Sequence, residues 1–207
     1  MALNAIRVFI LICLSTSAFA KVSEKSGRPQ AYGVGYLTWQ EPVDLMRKSD
    51  SRSFPLQSVQ SGWGFQYSRE LLARGNWQIE AQASLFLTSS SVMTSSKDEV
   101  ALSGLNYRTT DALVYGGWLA PEITWGRDPR ESRFGITFPL LFRRANWPDV
   151  SSGGNQYLIQ SKSKSLLGVW LTTRFQREAW GVSTRLGYLA GSSSFAWMVG
   201  LTKVWSE

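Results

Sequence analysis

Apolar and polar positions alternate with a period of two over most of this chain, most cleanly over residues 180–205. Trp180, Val182, Thr184, Leu186 and Tyr188 alternate with Gly181, Ser183, Arg185 and Gly187; after 191–194, Phe195, Trp197, Val199, Leu201, Lys203 and Trp205 alternate with Ala196, Met198, Gly200, Thr202 and Val204. That period predicts two antiparallel strands, each with one large apolar face and one small or polar face. The arms have the length of tilted membrane-crossing strands, with aromatics near their ends, where interfacial girdles belong.

The same pattern predicts six earlier strands. Over 31–40 it sets Tyr32, Val34 and Tyr36 outward against Gly33, Gly35 and Leu37. Over 59–71 it sets Trp63, Phe65 and Tyr67 outward. Over 76–88 the outward set runs from Trp77 through Ile79, Ala81, Ala83 and Leu85 to Leu87. Residues 111–125 put Leu113, Tyr115, Leu119, Ile123 and Trp125 outward and Glu122 inward, with a kink or bulge expected at Pro121, which has no ladder N–H. Residues 133–143 place Phe134, Ile136, Phe138, Leu140 and Phe142 outward. A long sixth strand, 157–175, ends in Leu167, Val169, Leu171, Thr173 and Phe175. Long polar loops are expected at 41–58, 89–110 and 144–156, and short turns at 72–75, 126–132 and 176–179. The expected fold is all-β: an eight-stranded antiparallel up-and-down transmembrane β-barrel, with its short turns in the periplasm and its longer loops outside.

Alternation alone leaves two orientations of the apolar face, toward lipid or into a soluble, lipocalin-like interior. The polar set is mostly Gly, Ser, Thr and Gln, unlike the charged exterior of a soluble protein. The apolar set carries more volume than a lumen of eight strands holds. Charge is absent along about five or six consecutive outward positions, as a lipid band requires. The balance favours lipid.

Composition sharpens the reading. Residues 1–20 have the layout of a secretory signal: Arg7, an apolar core and a small-x-small cleavage site at Ala18-Phe19-Ala20. Residues 21–30 follow as a polar periplasmic leader, and 31–207 form the barrel. Cleavage would remove Cys13, the one cysteine, and with Arg7 would lower the formal net charge from +7 to +6. Ten tryptophans suit a membrane interface. The basic balance fits anionic lipid headgroups, and with no basic helix or stacking motif it gives no support for nucleic acid.

At this point the chain resembles the small eight-stranded outer-membrane barrels of Gram-negative bacteria, of the OmpX and OmpA-membrane-domain kind. Its closing strand is similar to the signal by which such barrels are recognised for insertion: Gly200 and Trp205 fit, Lys203 occupies the middle apolar position, and Ser206-Glu207 follow the aromatic. The resemblance implies residence in the outer membrane, both termini in the periplasm and the barrel-assembly machinery as a partner. It implies no single function, since such barrels serve as adhesins, envelope-stability proteins, narrow conduits and lipid-modifying enzymes.

The chain has no histidine. The acid–base machinery of the small-barrel lipid A enzymes, proteases and phospholipase therefore does not carry over. No enzyme is expected, and neither a metal nor another cofactor. Two charged groups stand out. Glu80, Glu122, Arg174 and Arg185 alternate into the lumen, and counting from the short turns puts all four in its periplasmic half. They make either an ion network that plugs the barrel, with Glu80 and Arg185 an expected pair, or a gate on a solute path. Arg47, Lys48, Arg52, Arg143, Arg144, Lys162 and Lys164 fall at the outer end. They form either a solvated rim or a clamp for lipopolysaccharide phosphates or another acidic surface ligand. The expected function is surface or envelope stabilisation through the outer loops around a plugged lumen. The alternative is a narrow, porin-like channel for small solutes or lipid-like molecules, and a histidine-independent lipid-modifying enzyme stands third.

Overall fold

Each strand of the ring follows the alternation above, and both neighbours of every strand are antiparallel. The computed structural model describes residues 29–93, 112–126, 132–152, 155–160, 162–177, 179–192 and 195–205. The expected signal and most of the leader, 1–28, lie outside the described residues. The strands are β1 (Gln30–Arg47), β2 (Ser53–Arg74), β3 (Trp77–Met93), β4 (Ala112–Trp125), β5 (Ser132–Thr137), β6 (Leu140–Asn146), β7 (Val150–Ser152), β8 (Asn155–Ile159), β9 (Ser163–Arg177), β10 (Trp180–Leu189) and β11 (Phe195–Trp205). β1 pairs with both β2 and β11, and β5 and β6 occupy one place between β4 and β9, so the ring closes with eight places. The expected fold class holds.

The outward faces match the sequence pattern strand by strand. Trp63, Leu171 and Phe195 are each more than 60% exposed, at 65%, 63% and 69%. Along β11, Phe195 to Trp205 spans ten steps. At about 2.5 Å of height per residue in a tilted strand, that covers roughly 25 Å, the height of a lipid-facing band. Aromatic pairs mark both rims: Trp77 with Trp125 at 5.5 Å and Tyr32 with Tyr67 at 5.1 Å near the short-turn end, Tyr36 with Trp63 at 5.3 Å and with Trp197 at 5.8 Å near the other.

Several expected boundaries are corrected. Most of 41–58 is not a loop: β1 and β2 stay paired from Gln30↔Arg69 to Met46↔Ser53, leaving only a turn around 48–52. Above the band the strand faces exchange character. Outward positions become Thr38, Gln40, Pro42 and Asp44, while Trp39, Val43, Leu45, Phe54 and Leu56 are buried inside. β2 and β3 extend in the same way past the expected strands, β3 reaching Met93; the remainder of the 89–110 loop lies largely outside the described residues.

The expected sixth strand is two elements. β8 leaves the line of β9 and pairs with β1 from Leu45↔Ile159 to Arg47↔Tyr157, while β11 pairs with β1 no higher than Thr38↔Trp197. The 144–156 segment is likewise mostly strand, the end of β6 plus the β7–β8 hairpin. Pro121 causes no bulge. Glu122↔Thr137 and Leu119↔Leu140 keep one register across it, and the proline carbonyl accepts from Phe138 N–H at 3.0 Å. The register shift lies in β2 instead, between Glu70 and Leu72.

The short turns gather at one end with the described ends of β1 and β11: Gly75, at a φ of 57°, makes the tight β2–β3 turn, and Gly126 N–H reaches Asn76 O at 3.1 Å.

Candidate functional site

The lumen is filled in layers. Nearest the short turns, the four charges expected from parity do meet. Arg174 donates from Nη1 and Nη2 to the two Glu80 oxygens at 2.6 and 2.9 Å, and from Nη2 to Glu122 Oε1 at 2.7 Å. Arg185 reaches Glu122 Oε2 at 3.4 Å and spends its other donors on Gln66 at 2.9 Å and Gln82 at 3.1 Å. Glu80 therefore pairs with Arg174, and not with Arg185 as expected. Thr137 and Thr172 donate to Glu122 Oε2 at 2.6 and 3.3 Å. Glu122 is fully buried, and these hydroxyls and guanidinium groups supply the donors its charge lost on leaving water. Sequence reasoning left out Gln66, Gln82, Thr137, Thr172 and the buried Arg133, which pairs in register with Arg174. Their parity was on view; only their neutrality, or a position at a strand start, kept them out.

Above the ions lies an aromatic septum. Trp39, Phe86, Trp118 and Trp170 come from β1, β3, β4 and β9, and their rings follow one another at 5.5, 6.1 and 5.7 Å. All four are buried, among Leu37, Leu141, Leu166, Leu189 and Met198. Small residues on the facing strands make the room. A Cβ at Gly116 would stand 2.8 Å from the Phe86 ring, and one at Gly187 2.6 Å from Trp170. Gly33 and Gly35, inward as alternation expected, serve the same crowding: a Cβ at Gly35 would collide with Met198.

A second polar layer follows. Arg143 pairs with Glu41 at 2.5 Å, both side chains fully buried. Gln60 donates to Glu41 at 3.3 Å and to Ser58 at 2.7 Å, and Ser58 shares a hydrogen bond with Ser90 at 2.5 Å. Arg143, expected on the outer rim, is thus a luminal residue. Its place follows from alternation with the outward Phe142, which the rim assignment overlooked. Val43, Leu45, Phe54, Leu56, Val92, Tyr157 and Ile159 form a buried apolar layer above.

The rest of the rim is spread out. Arg47, Lys48 and Arg52 share the β1–β2 tip, where Arg47 pairs with Asp50 at 3.2 Å and both arginines lie over the Phe54 ring at 5.7 and 5.3 Å. Lys48 bridges to Asp149 at 2.8 Å and to Gln156 at 3.4 Å, tying the tip to the β7–β8 hairpin. Its hydrogen bond and charge hold the Asp149 carboxyl below the usual carboxylate range. Arg144 and Lys162 are exposed, and Lys164 donates to the carbonyls of Pro42 and Gly191, each at 3.4 Å. At the closing strand, Gly200 faces Gly35 across the seam, and Trp205 is 57% exposed on the outward face.

A closed antiparallel ring with an apolar outer belt, two aromatic rims and a packed interior defines a transmembrane β-barrel of the outer membrane. No protein-family profile matches the chain, and no curated protein matches it. Among solved structures it is similar to the outer membrane protein OprG from Pseudomonas aeruginosa, at 9% identity and a TM-score of 0.54, covering 87% of this chain and 97% of that one. It is also similar to Ail, the attachment invasion locus protein of Yersinia pestis, at 13% identity and a TM-score of 0.49, covering 86% and 99%. At these identities the likeness is one of fold.

Proposed function

We propose that this barrel acts at the cell surface, with a plugged lumen, through the projecting β1–β2 and β7–β8 tips, contacting lipopolysaccharide phosphates or acidic surface polymers. The observation that carries this reading is the filling of the lumen. Two ion-paired layers and an aromatic septum occupy the path a solute would take, so the surface beyond the membrane is what remains to work with. Arg47, Lys48, Arg52, Arg144, Lys162 and Lys164 are the cations at that end; Arg143 is withdrawn from the set. Guanidinium groups suit phosphate because their fork of donors matches its oxygens. In the same reading, Gly200 and Trp205 serve recognition by the barrel-assembly machinery. No enzymatic role is assigned, since the chain has no histidine for acid–base work near neutral pH.

The test pairs two measurements on purified, refolded barrel. It should retain lipopolysaccharide bearing phosphates over a dephosphorylated form, and replacing Arg47, Lys48 and Arg52 together with Gln should remove that preference. In a planar bilayer the wild type should give no resolved current steps. A steady, well-resolved channel would overturn the surface reading in favour of the conduit.

A further inference from the structure

The outward wall of the barrel carries a row of charge at the short-turn end of its lipid-facing band. Register aligns Arg177 with Trp180, Trp180 with Lys203, and Lys203 with Tyr32 across β9, β10, β11 and β1. All four residues are outward by parity, at the short-turn end of the band. Trp205, two residues beyond Lys203, is level in register with Gln30, which in turn faces Arg69. Above this row the outward positions on the same strands, among them Phe175, Thr173, Leu171, Val182, Thr184, Leu186, Leu201 and Val199, are without charge.

Lys203 is also held in place. Its ammonium lies 4.7 Å from the Trp205 ring centroid and 5.7 Å from that of Trp180. Ring faces attract the cation without using up its N–H donors, which stay available to an oxygen acceptor. Among the described residues no carboxylate pairs with Lys203 or Arg177. Neighbouring strands lie about 4.8 Å apart, so the two residues sit roughly 10 Å apart at the backbone, with Trp180 between them. Two side chains of that reach can converge on one tetrahedral anion at the level of the lipid headgroups.

We propose that Lys203 and Arg177, framed by Trp180 and Trp205, bind the phosphate of an anionic phospholipid in the leaflet at the short-turn end. The proposal rests on the barrel, its lipid belt and the orientation of the surface reading, with the 48–52 tip outside. Charge complementarity selects the occupant: the row offers two cations and an amphipathic aromatic frame, and a phospholipid brings an anion at that depth with acyl chains that continue along the apolar wall. Lipopolysaccharide is set aside by position, because the row lies at the opposite end from the 48–52 tip.

Full-length mature barrel is released from nanodiscs holding equal parts phosphatidylglycerol and phosphatidylcholine, and the retained lipids are counted by native mass spectrometry. Wild type should retain phosphatidylglycerol preferentially, and Arg177→Gln should cut that preference roughly fivefold, the weight of one basic residue at an anionic surface. The Arg177→Gln, Lys203→Gln pair should abolish it. Arg177→Gln alone carries the test if the double variant does not assemble, as judged by heat-modifiable gel mobility. Arg74→Gln removes one charge from the same end outside the row and should change nothing. Equal retention of both lipids by wild type, the same loss in Arg74→Gln, or full displacement by inorganic phosphate at matched ionic strength would overturn the proposal.

Discussion

Glu122 concentrates the argument at the scale of residues. It is fully buried, and it lies within reach of Arg174, Arg185, Thr137 and Thr172, while Arg174 divides its donors between Glu122 and Glu80. Removing one member leaves its partner buried without compensation. Arg174→Gln should therefore destabilise the barrel by about 3–5 kcal/mol in urea unfolding from liposomes. Adding Glu80→Gln to Arg174→Gln should recover part of that loss. A double variant no better than the single would mean that the two groups do not depend on each other. The four charges were legible in the sequence because a period of two assigns each side chain a face. Their pairing was not, since height in the lumen depends on strand stagger, which alternation does not carry. Arg143 was legible as inward, since its neighbours Phe142 and Arg144 are outward; its pairing was not, because Glu41 lies over a hundred residues earlier and only closure of the ring brings the two together.

The element that departs furthest from expectation is the β1–β2 hairpin. Its upper half alternates as regularly as the rest, with Val43, Leu45, Phe54 and Leu56 on one face. Prolines at 42 and 55 and the charges at 47–52 gave that stretch the appearance of a loop. Beyond the bilayer the apolar face has no lipid to meet, so it turns into the lumen while the polar face meets water. The strand then obeys the rule of a soluble sheet. Leu45→Asp with Leu56→Asp should unpack this extension, each buried leucine being worth about 1.5–3 kcal/mol, and leave the membrane ring folded. Trypsin on intact cells should cut the wild type only slowly at Lys48 or Arg52 and the double variant readily through 41–58. Cleavage at Arg74 on intact cells would reverse the orientation, since that residue sits at the short-turn end. The lower strands were legible because the lipid band keeps charge off the outward positions between its two rims.

For the whole molecule, the proposed plug would have more than one layer. Arg185→Ala opens the lower ion network but leaves the septum of Trp39, Phe86, Trp118 and Trp170 and the Glu41–Arg143 pair in place. It should therefore raise planar-bilayer current very little. Trp118→Ala with Trp170→Ala should raise it measurably, because each change removes a ring from the septum itself. Current through Arg185→Ala equal to that of the tryptophan pair would mean that the ions alone hold the pore shut. The septum also bears on how the chain folds. Its rings come from β1, β3, β4 and β9, so no single hairpin contains more than half of it, and β1 finds β11 only after the rest of the chain has arrived. A nascent sheet holds no finished layer to stabilise it part-way, and contacts so distant in sequence are slow to form. Folding should accordingly be late, abrupt and all-or-none, with the interior and the seam appearing in one kinetic phase.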